Sequence, residues 1–216
     1  MANLPLADLR LNYTQAGLLE TEVAADPMEQ FKTWLSEAIA AELPEPNAMM
    51  LSTLSESGHP CARMVLLKGL DERGFVFYTN YNSAKGQQLS QHPWAALVFW
   101  WAELERQVRI EGKVVKIDPA ESDAYFHSRP RASQLGAWAS PQSQVIDNRQ
   151  VLEQNLDNLE QQYAEQTIPR PEHWGGFRVV PNVIEFWQGR PSRLHDRIQF
   201  QKQENENHWH LQRLAP

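Results

Sequence analysis

Cysteine is almost absent from this sequence, since the 216 residues contain only Cys61. A single cysteine cannot form a disulfide within the chain, which fits a reducing compartment. Long hydrophobic runs are also missing: no apolar stretch approaches the roughly 20 residues that span a bilayer, and the N-terminus has neither the basic start nor the apolar run of a signal peptide. We therefore expect a cytoplasmic protein.

An excess of positive charge is missing as well. Lys and Arg total 20 against 27 Asp and Glu, which gives a formal net charge of -7. Such a chain has no overall field that attracts nucleic acid or an anionic membrane, and we expect neither as a partner. Any anion must be bound by cations that gather locally.

Several catalytic and phosphate-binding signatures are absent. Neither Gly-x-Gly-x-x-Gly nor Gly-x-x-x-x-Gly-Lys-Ser/Thr occurs, so a phosphate-bearing ligand would not lie on a Rossmann or P-loop cradle. There is no Gly-x-Ser-x-Gly elbow, and the seven His residues show no spacing typical of metal ligands. Side chains must then hold any phosphate, and no metal site is predicted.

Apolar spacing and turn residues predict an α+β protein. Helices are predicted at residues 27–43, 82–92, 118–129, 132–138 and 145–165. Strands are predicted at residues 48–54, 61–68, 75–79, 94–101, 105–117, 176–180, 183–188, 194–202 and 208–214. The spacing of the first three strands predicts an antiparallel meander. Strand 94–101 is nearly all apolar, which predicts a barrel wall buried on both faces. Gly112 predicts a bulge in strand 105–117. The whole is a mostly antiparallel barrel with inserted helices, in which residues 27–216 form one domain and residues 1–26 a flexible arm unless that arm docks.

The stretch from Trp187 to Arg197 is the strongest candidate for chemistry. Read as an extended segment, it places Arg193, His195 and Arg197 on one face, because side chains alternate along a strand. An exposed strand can carry such a row without any function. The functional interpretation is that the row faces an anion or an electron-rich ring, because arginine keeps its charge and forks onto oxygens.

Further anion-binding groups are spread along the chain. Arg63 and Lys68 are an odd number of residues apart, so a straight strand sends them to opposite faces. One ligand can meet both only if it wraps an end of the strand or lies across a subunit boundary. Lys85 lies close to a helix start, where free backbone N–H groups can bind phosphate. The alternative for Arg63 and Lys68 is a surface arginine and a lysine at a strand end, which is the more common case for such residues.

Tyr125, Arg129 and Ser133 form a second set, spaced by four and four residues. A helical path would align the three side chains on one face, despite Pro130. Three phosphate-binding groups would then point the same way. The alternative is a kinked surface helix without a ligand.

The order and wording of the motifs are far more specific than any single residue. The sequence contains Arg-Met-Val-Leu-Leu-Lys at 63–68, Phe-Tyr-Thr-Asn at 77–80, Glu-Arg-Gln-Val-Arg at 105–109, Tyr-Phe-His-Ser-Arg-Pro-Arg-x-Ser-Gln-x-Gly-Ala-Trp at 125–138, Trp-Gly-Gly-Phe-Arg at 174–178, Ile-Glu-Phe-Trp-Gln-Gly at 184–189 and Arg-Leu-His-Asp-Arg at 193–197. From about Arg10 to Pro216 the chain resembles the pyridoxine/pyridoxamine 5'-phosphate oxidase family.

The resemblance implies an FMN-dependent homodimer with a split β-barrel fold and the flavin between the subunits. The implied reaction converts pyridoxamine 5'-phosphate and pyridoxine 5'-phosphate to pyridoxal 5'-phosphate, with O2 as acceptor and H2O2 as a product. The implied FMN contacts are Arg63, Met64, Val65, Leu66, Leu67, Lys68, Tyr78, Thr79, Ala84, Lys85, Gln107, Gln142, Ser143, Trp187 and Arg197. The implied substrate contacts are Arg10, Tyr13, Lys68, Tyr125, Arg129, Ser133, Arg193, Leu194 and His195.

The same resemblance implies catalytic roles for Arg193, His195 and Arg197. One departure is Ala84, which stands where many relatives have Arg, so one phosphate contact is expected to be lost. Two alternatives share part of the pattern. Another member of the FMN split-barrel superfamily would not need the substrate set, and a non-catalytic binder of flavin or pyridoxal phosphate could lose the row at 193–197.

Overall fold

The computed structural model describes residues 12–15, 17–203 and 208–216, so Arg10 lies outside the described residues. Among the described residues it contains five α-helices: α1 (Pro27–Ala40), α2 (Ala84–Gln91), α3 (Pro119–Ser128), α4 (Arg131–Ala139) and α5 (Gln150–Gln162). None of the helices in this part of the chain is both long and apolar enough to cross a membrane.

The described residues also form nine strands. They are β1 (Ala48–Leu54), β2 (Pro60–Leu66), β3 (Gly69–Asp71), β4 (Gly74–Asn80), β5 (Trp94–Trp101), β6 (Arg106–Lys116), β7 (Trp174–Gln188), β8 (Asp196–Lys202) and β9 (Trp209–Arg213). Hydrogen bonds link them in the order β2-β1-β5-β6-β7-β4-β3, with β8 on β7 and β9 on β8. The pairs β3–β4, β4–β7, β7–β8 and β8–β9 are antiparallel. The predicted α+β class with a mostly antiparallel sheet is therefore confirmed.

The chain divides into two compact units. Unit 1 comprises the described part of Met1–Ala48 together with Leu97–Ile110 and Asn182–Pro216, and unit 2 comprises Met49–Ala96 and Glu111–Pro181. Strands β5, β6 and β7 contribute residues to both units. One domain over residues 27–216 stays a prediction.

Unit 1 is built on an aromatic core. Helix α1 begins as predicted, because the Asp26 side chain accepts a hydrogen bond from the backbone N–H of Met28 at 2.8 Å and Pro27 occupies the first turn. Its buried face carries Phe31, whose ring lies 4.9 Å from that of Phe99. Burial of such rings stabilises this unit.

The described part of the N-terminal segment docks within unit 1. The backbone N–H groups of Thr14 and Gln15 donate to the Glu105 carboxylate at 2.9 and 3.1 Å. Arg213 donates to the backbone oxygen of Leu18 and to both oxygens of the Glu20 carboxylate. The sequence predicted a flexible arm unless that segment docks, and the described residues of the segment do dock. The boundary between arm and domain at residue 26 stays a prediction.

Unit 2 contains the core of Phe126, Leu135, Ile168 and Trp174, as well as β4, which is buried on both faces. The predicted meander is wrong for this strand. Strand β4 pairs with β7 and β3, while β2 lies at the other end of the strand order. Local spacing indicates only partners close in sequence, whereas β4 pairs with β7, about 100 residues further along the chain.

Two local predictions also need correction. Strand β5 is buried on one face only, since Trp94 and Trp100 are 51% and 49% exposed. The bulge at Gly112 stays a prediction; a Cβ there would lie 2.2 Å from the backbone oxygen of Val180, so the glycine permits close backbone approach within β6. The two strands predicted at 176–188 form the single strand β7.

Candidate active site

Unit 2 contains a cavity of about 520 Å³ that collects most of the predicted phosphate-binding residues. We call it the anion cavity. Its lining residues are Arg63, Met64, Val65, Leu66, Lys68, Tyr78, Thr79, Lys85, Tyr125, Arg129, Pro130, Ser133, Gln142 and Trp174. Four of these side chains are cationic, and no carboxylate is among the described residues of the lining. Such a surface favours a ligand with several negative charges.

The odd spacing of Arg63 and Lys68, which would send them to opposite faces of a straight strand, does not keep them apart in the structure. Strand β2 ends at Leu66, and Lys68 lies past that end, where its backbone N–H donates to the backbone oxygen of Val76 at 2.8 Å. The alternation of a straight strand therefore does not extend to Lys68. Both cations line the anion cavity of a single chain, so a ligand can meet both by wrapping the end of the strand.

The first group of cations in the cavity consists of Arg63 and Lys85. Helix α2 starts at Ala84 with Ser83 as its cap, which places Lys85 in the first turn. The Lys85 Nζ donates to Gln142 Oε1 at 3.0 Å, and the Thr79 hydroxyl donates to the same oxygen at 3.0 Å. Burial, and secondly the charge of Arg63, lower the pKa of Lys85. An anion bound here would favour the charged form of Lys85 and so offset the lowering of its pKa.

The second group surrounds Arg129. The predicted break at Pro130 is confirmed: α3 ends at Ser128, Arg129 is extended (ψ 150°) and α4 begins at Arg131, so the helical path that would align the three side chains is not formed. Pro130 causes the break, since a proline disfavours helical geometry at the preceding residue. Tyr125, Arg129 and Ser133 nevertheless line the same cavity.

Arg129 is held by aromatic faces. Its guanidinium lies 4.6 Å from the ring centroid of Trp174 and 5.7 Å from that of Phe126. The rings of Tyr78 and Tyr125 stack at 3.8 Å beside it. The Nη1 atom of Arg129 is buried and has no hydrogen-bond partner among the described residues. Because a buried charged donor without an acceptor is costly, this atom fits a ligand oxygen.

The cationic side chains of the cavity suit two phosphate groups. Arg63 and Lys85 are one cationic centre, and Arg129 with Tyr125 and Ser133 is another. FMN and a pyridoxine phosphate each carry one such dianion. The donors are side chains of the kind that make charge-assisted hydrogen bonds to phosphate, and they do not resemble a nucleotide cradle of backbone glycines.

Unit 1 contains a second arrangement, which we call the ring cluster: Tyr13, Trp187 and His195. Their ring centroids lie 5.7 Å apart for Tyr13 and Trp187, 5.6 Å for Tyr13 and His195, and 4.6 Å for Trp187 and His195. Gly189 permits this packing, because a Cβ there would lie 2.8 Å from Cγ of Tyr13. Two flat faces and an imidazole are thereby held together.

The predicted row of Arg193, His195 and Arg197 on one strand is wrong. Residues 191–193 form a 3-10 turn, with Arg193 in the left-handed region (φ 60°), and β8 starts only at Asp196. Pro191 sets a helical φ at the start of this turn, which interrupts the extended path. Only Arg197 of the three lies in the strand.

His195 is held in one hydrogen-bonded form. The backbone N–H of Arg190 donates to its Nδ1 at 3.1 Å, so Nδ1 is an acceptor and the proton of the neutral ring is on Nε2. Burial, and secondly the charge of Arg193, lower the pKa of His195. The ring is therefore a neutral Nε2–H donor near neutral pH.

Arg197 is paired with a buried carboxylate. Its Nε and Nη2 donate to the two oxygens of Glu185 at 2.8 and 3.1 Å, and its Nη1 donates to the backbone oxygen of Ala215 at 2.9 Å. Glu185 is 3% exposed and also accepts from Arg109 at 3.3 Å. The fork onto Glu185 raises the pKa of Arg197. Two of its five N–H groups are not used by these three bonds.

Several predicted contacts lie elsewhere. Leu67 is buried, and it lies outside the cavity lining together with Ala84 and Ser143. Gln107 is on β6 in unit 1, and Leu194 is 70% exposed beside the ring cluster. Whether any of these residues contacts a ligand stays a prediction.

Sequence reasoning missed four residues that shape the two arrangements: Thr53, Gln88, Trp174 and Glu185. Two of them stand inside quoted motifs, Trp-Gly-Gly-Phe-Arg and Ile-Glu-Phe-Trp-Gln-Gly, and could have been singled out there. Thr53 is a polar residue on the buried face of β1, which is itself a signal. Gln88 has no such signal in the sequence.

Two family models match the chain. The model described as pyridoxamine 5'-phosphate oxidase matches residues 35–163, and the model described as the pyridoxine 5'-phosphate oxidase C-terminal dimerisation region matches residues 174–216. The residues that line the anion cavity lie within the first match, except Trp174, which lies with Trp187 and His195 in the second.

Curated relatives match over nearly the full length. The chain is 73% identical over 216 residues to the pyridoxine/pyridoxamine 5'-phosphate oxidase of Synechocystis sp. strain PCC 6803, with 100% of both chains covered. It is 64% identical to the enzyme of the same name from Acaryochloris marina, which covers 98% of this chain and 95% of that one.

Solved structures show the same fold. PhzG from Burkholderia lata 383, solved with tetrahydrophenazine-1-carboxylic acid, has a TM-score of 0.87 at 28% identity and covers 94% of this chain and 99% of its own. A pyridoxamine 5'-phosphate oxidase-related, FMN-binding protein from Nostoc punctiforme has a TM-score of 0.70 at 18% identity, covering 90% and 100%. The expected split-barrel fold is confirmed, and the chain belongs to the pyridoxamine 5'-phosphate oxidase family.

Proposed function

We propose that this chain is an FMN-dependent oxidase that converts pyridoxamine 5'-phosphate and pyridoxine 5'-phosphate to pyridoxal 5'-phosphate, with O2 as acceptor and release of H2O2. The observation that carries the proposal is the anion cavity, with two cationic centres and no carboxylate in its described lining. In a chain of net charge -7, that concentration of cations suits two phosphate dianions. The high identity to relatives that bear this name supports the same reaction.

The two cationic centres have different roles in the proposal. Arg63 and Lys85, with Thr79 and Gln142 beside them, hold the phosphate of FMN. Arg129 offers its unpartnered Nη1 to the phosphate of the substrate. Tyr125, Ser133 and Lys68 complete the second centre.

The ring cluster supplies the part of the site that meets the reacting rings. A homodimer is consistent with the match to the dimerisation region. In such a dimer, Gln107, Trp187 and Arg197 of one copy reach the flavin bound by the other, and Arg193 and His195 orient the substrate. Arg10 and Tyr13 close over that substrate, as the family resemblance implies.

Each protein group then has a definite task. When bound, FMN would supply the two-electron redox chemistry between the substrate and O2. The cations fix the two phosphates, so the substrate is held in one orientation before reaction. His195 offers an Nε2–H donor, because its Nδ1 already accepts from the backbone of Arg190. Arg197 offers the two N–H groups that its bonds to Glu185 and Ala215 do not use.

A spectroscopic experiment tests the proposal. The purified protein should carry a yellow flavin spectrum that bleaches when pyridoxamine 5'-phosphate is added without oxygen and returns on admitting air. Unphosphorylated pyridoxamine is the matched control, and it should bleach the flavin far more slowly because it cannot use Arg129. A yellow protein whose spectrum pyridoxamine 5'-phosphate leaves unchanged would contradict the proposal.

A further inference from the structure

We propose that Thr53 and Gln88 are positioning residues that hold Arg63 with uncharged oxygen atoms and so leave its positive charge available to the phosphate of FMN. The inference rests on the proposed function, because it assumes that the anion at Arg63 belongs to the flavin. It adds two residues that line no part of the cavity themselves.

The contacts around Arg63 form a closed set. Its Nη1 donates to Thr53 Oγ1 at 2.5 Å and to the backbone oxygen of Leu51 at 3.3 Å, and its Nη2 donates to Gln88 Oε1 at 3.0 Å. The Thr53 hydroxyl donates to Gln88 Oε1 at 2.6 Å. Each hydrogen has one role: the threonine accepts from the arginine and donates to the glutamine. These bonds fix the guanidinium at two nitrogens.

Burial makes this set rigid. Thr53 is 2% exposed on β1, and Gln88 is half-buried on α2. A strand and a helix of the same unit therefore converge on one guanidinium. Because Gln88 Oε1 accepts two donors, its amide orientation is settled by the hydrogen bonds.

The absence of charge among these acceptors distinguishes Arg63 from other arginines of the chain. Arg178, Arg197 and Arg213 each contact carboxylates within 3.3 Å. Around Arg63, no carboxylate lies within ion-pair distance in the part of the chain that the structure describes. A carboxylate would fix the guanidinium more strongly, but it would also cancel the charge that a phosphate needs.

A substitution at Gln88 can add a charge beside Arg63 without changing the position of the Arg63 guanidinium. Glutamate has the same shape as glutamine and can accept the same two hydrogen bonds, so Gln88→Glu keeps the geometry and adds one negative charge. Thr53→Val keeps the volume and removes the acceptor for Nη1. If the neutral acceptors matter as proposed, the first variant should impair phosphate binding more than the second.

The experiment is a fluorescence titration of the flavin-free full-length protein with FMN and, separately, with riboflavin, which has the same ring and no phosphate. Gln88→Glu should weaken FMN binding by about tenfold to a hundredfold, as expected for a new ion pair that competes with the phosphate. Thr53→Val should weaken it by about twofold to tenfold, the value of one hydrogen bond. Riboflavin binding should stay within about twofold in both variants, since it lacks the group that Arg63 contacts.

A charge control lies on the same helix. Gln91→Glu adds the same charge at an exposed position at the end of α2, and it should bind FMN like the wild-type protein. Thermal unfolding of each flavin-free variant checks that the fold is retained, and Thr53→Val decides the matter if Gln88→Glu fails to fold.

The outcomes separate the two hypotheses. If Gln88→Glu and Thr53→Val bind FMN like wild type, or lose FMN and riboflavin affinity equally, the inference is wrong and the proposed function is untouched. If the wild-type protein itself binds FMN no more tightly than riboflavin, the phosphate is not held in this cavity and the proposed function fails with it.

Discussion

The anion cavity of unit 2 and the pair of Arg197 with Glu185 in unit 1 both depend on arginine, and they treat its charge in opposite ways. In unit 2, neutral oxygens hold Arg63, and Arg129 lies on the faces of aromatic rings with one buried donor unpartnered. In unit 1, the buried carboxylate of Glu185 forks onto Arg197. The first arrangement leaves charge uncompensated for a ligand, whereas the second satisfies the charge within the protein.

This difference predicts that the two kinds of arginine contribute to different properties, the uncompensated ones to ligand binding and the compensated one to stability. An uncompensated cation is costly to the empty protein and is repaid only when an anion binds. A compensated arginine stabilises the fold whether or not a ligand is present. Substitutions in the cavity should therefore act on ligand binding, and substitutions around Glu185 should act first on folding.

The largest effect is expected for Arg197→Leu. Glu185 would remain buried with only Arg109 nearby, and removal of one partner from a buried ion pair lowers the free energy of unfolding by about 3 kcal/mol. Urea unfolding of the flavin-free protein measures this, and the double variant with Glu185→Leu should recover part of the loss. Turnover should also fall far more than phosphate affinity. Unchanged stability and turnover would remove the contrast between the two regions.

Arg129→Ala is the matched test in the cavity. The apparent KM for pyridoxamine 5'-phosphate should rise by about tenfold to a hundredfold, which corresponds to roughly 1.5 to 3 kcal/mol for a charged hydrogen bond. The free energy of unfolding should change little, because the loss of the contacts with the Trp174 and Phe126 rings is offset by the removal of a buried cation whose Nη1 has no partner among the described residues. Steady-state kinetics and urea unfolding measure the two quantities. A loss of flavin content with normal KM would place Arg129 at the other phosphate.

A smaller effect concerns the pH dependence of FMN binding. Burial and Arg63 lower the pKa of Lys85, so FMN affinity should decrease as the pH rises through that lowered pKa, because neutral Lys85 no longer attracts the phosphate. Lys85→Arg should bind FMN with less pH dependence over this range, since arginine stays charged. Fluorescence titrations at several pH values between neutrality and 10 test this, and parallel pH profiles would contradict it.

The same pKa has a consequence of known sign for stability. The folded protein releases the Lys85 proton at lower pH than the unfolded chain does, so between the lowered pKa and the ordinary value of 10.5 the unfolded chain binds more protons. The contribution of Lys85 to the free energy of unfolding of the flavin-free protein therefore increases with pH in this range. Lys85→Met should remove that increase.

The smallest expected effect is in the ring cluster. Arg193→Gln should raise the pKa of His195 towards its ordinary value, because Arg193 is the second cause of its depression after burial. An NMR titration of the imidazole measures the change. The shift should be partial, since burial remains, and an unchanged pKa would show that Arg193 exerts no field on the ring.

Sequence patterns predicted the elements well where a local signal was decisive. Asp26-Pro27 started α1, and strand 94–101 was predicted with its observed bounds. Strand order was less accessible, because the pairing of β4 with β7 joins segments about 100 residues apart. Local periodicity contains no information about such a distant partner.

The candidate site shows the same limit. Motif wording located Arg63 and Arg129, the predicted helix start located Lys85, and all three line one cavity. Their partners depend on tertiary contacts, and Thr53 and Gln88 meet Arg63 only after a strand and a helix pack together. The row at 193–197 failed for a local reason, the left-handed backbone at Ser192 and Arg193 after Pro191.

The contact between Arg197 and the backbone oxygen of Ala215 has a practical consequence. The last described residues also return to the strand, since the N–H of Leu214 donates to the backbone oxygen of Arg197. Removing Ala215 and Pro216 would take away the backbone oxygen that accepts from the guanidinium proposed to face the flavin. A shortened variant should therefore differ from the full chain in turnover even though no side chain of the proposed site has been changed.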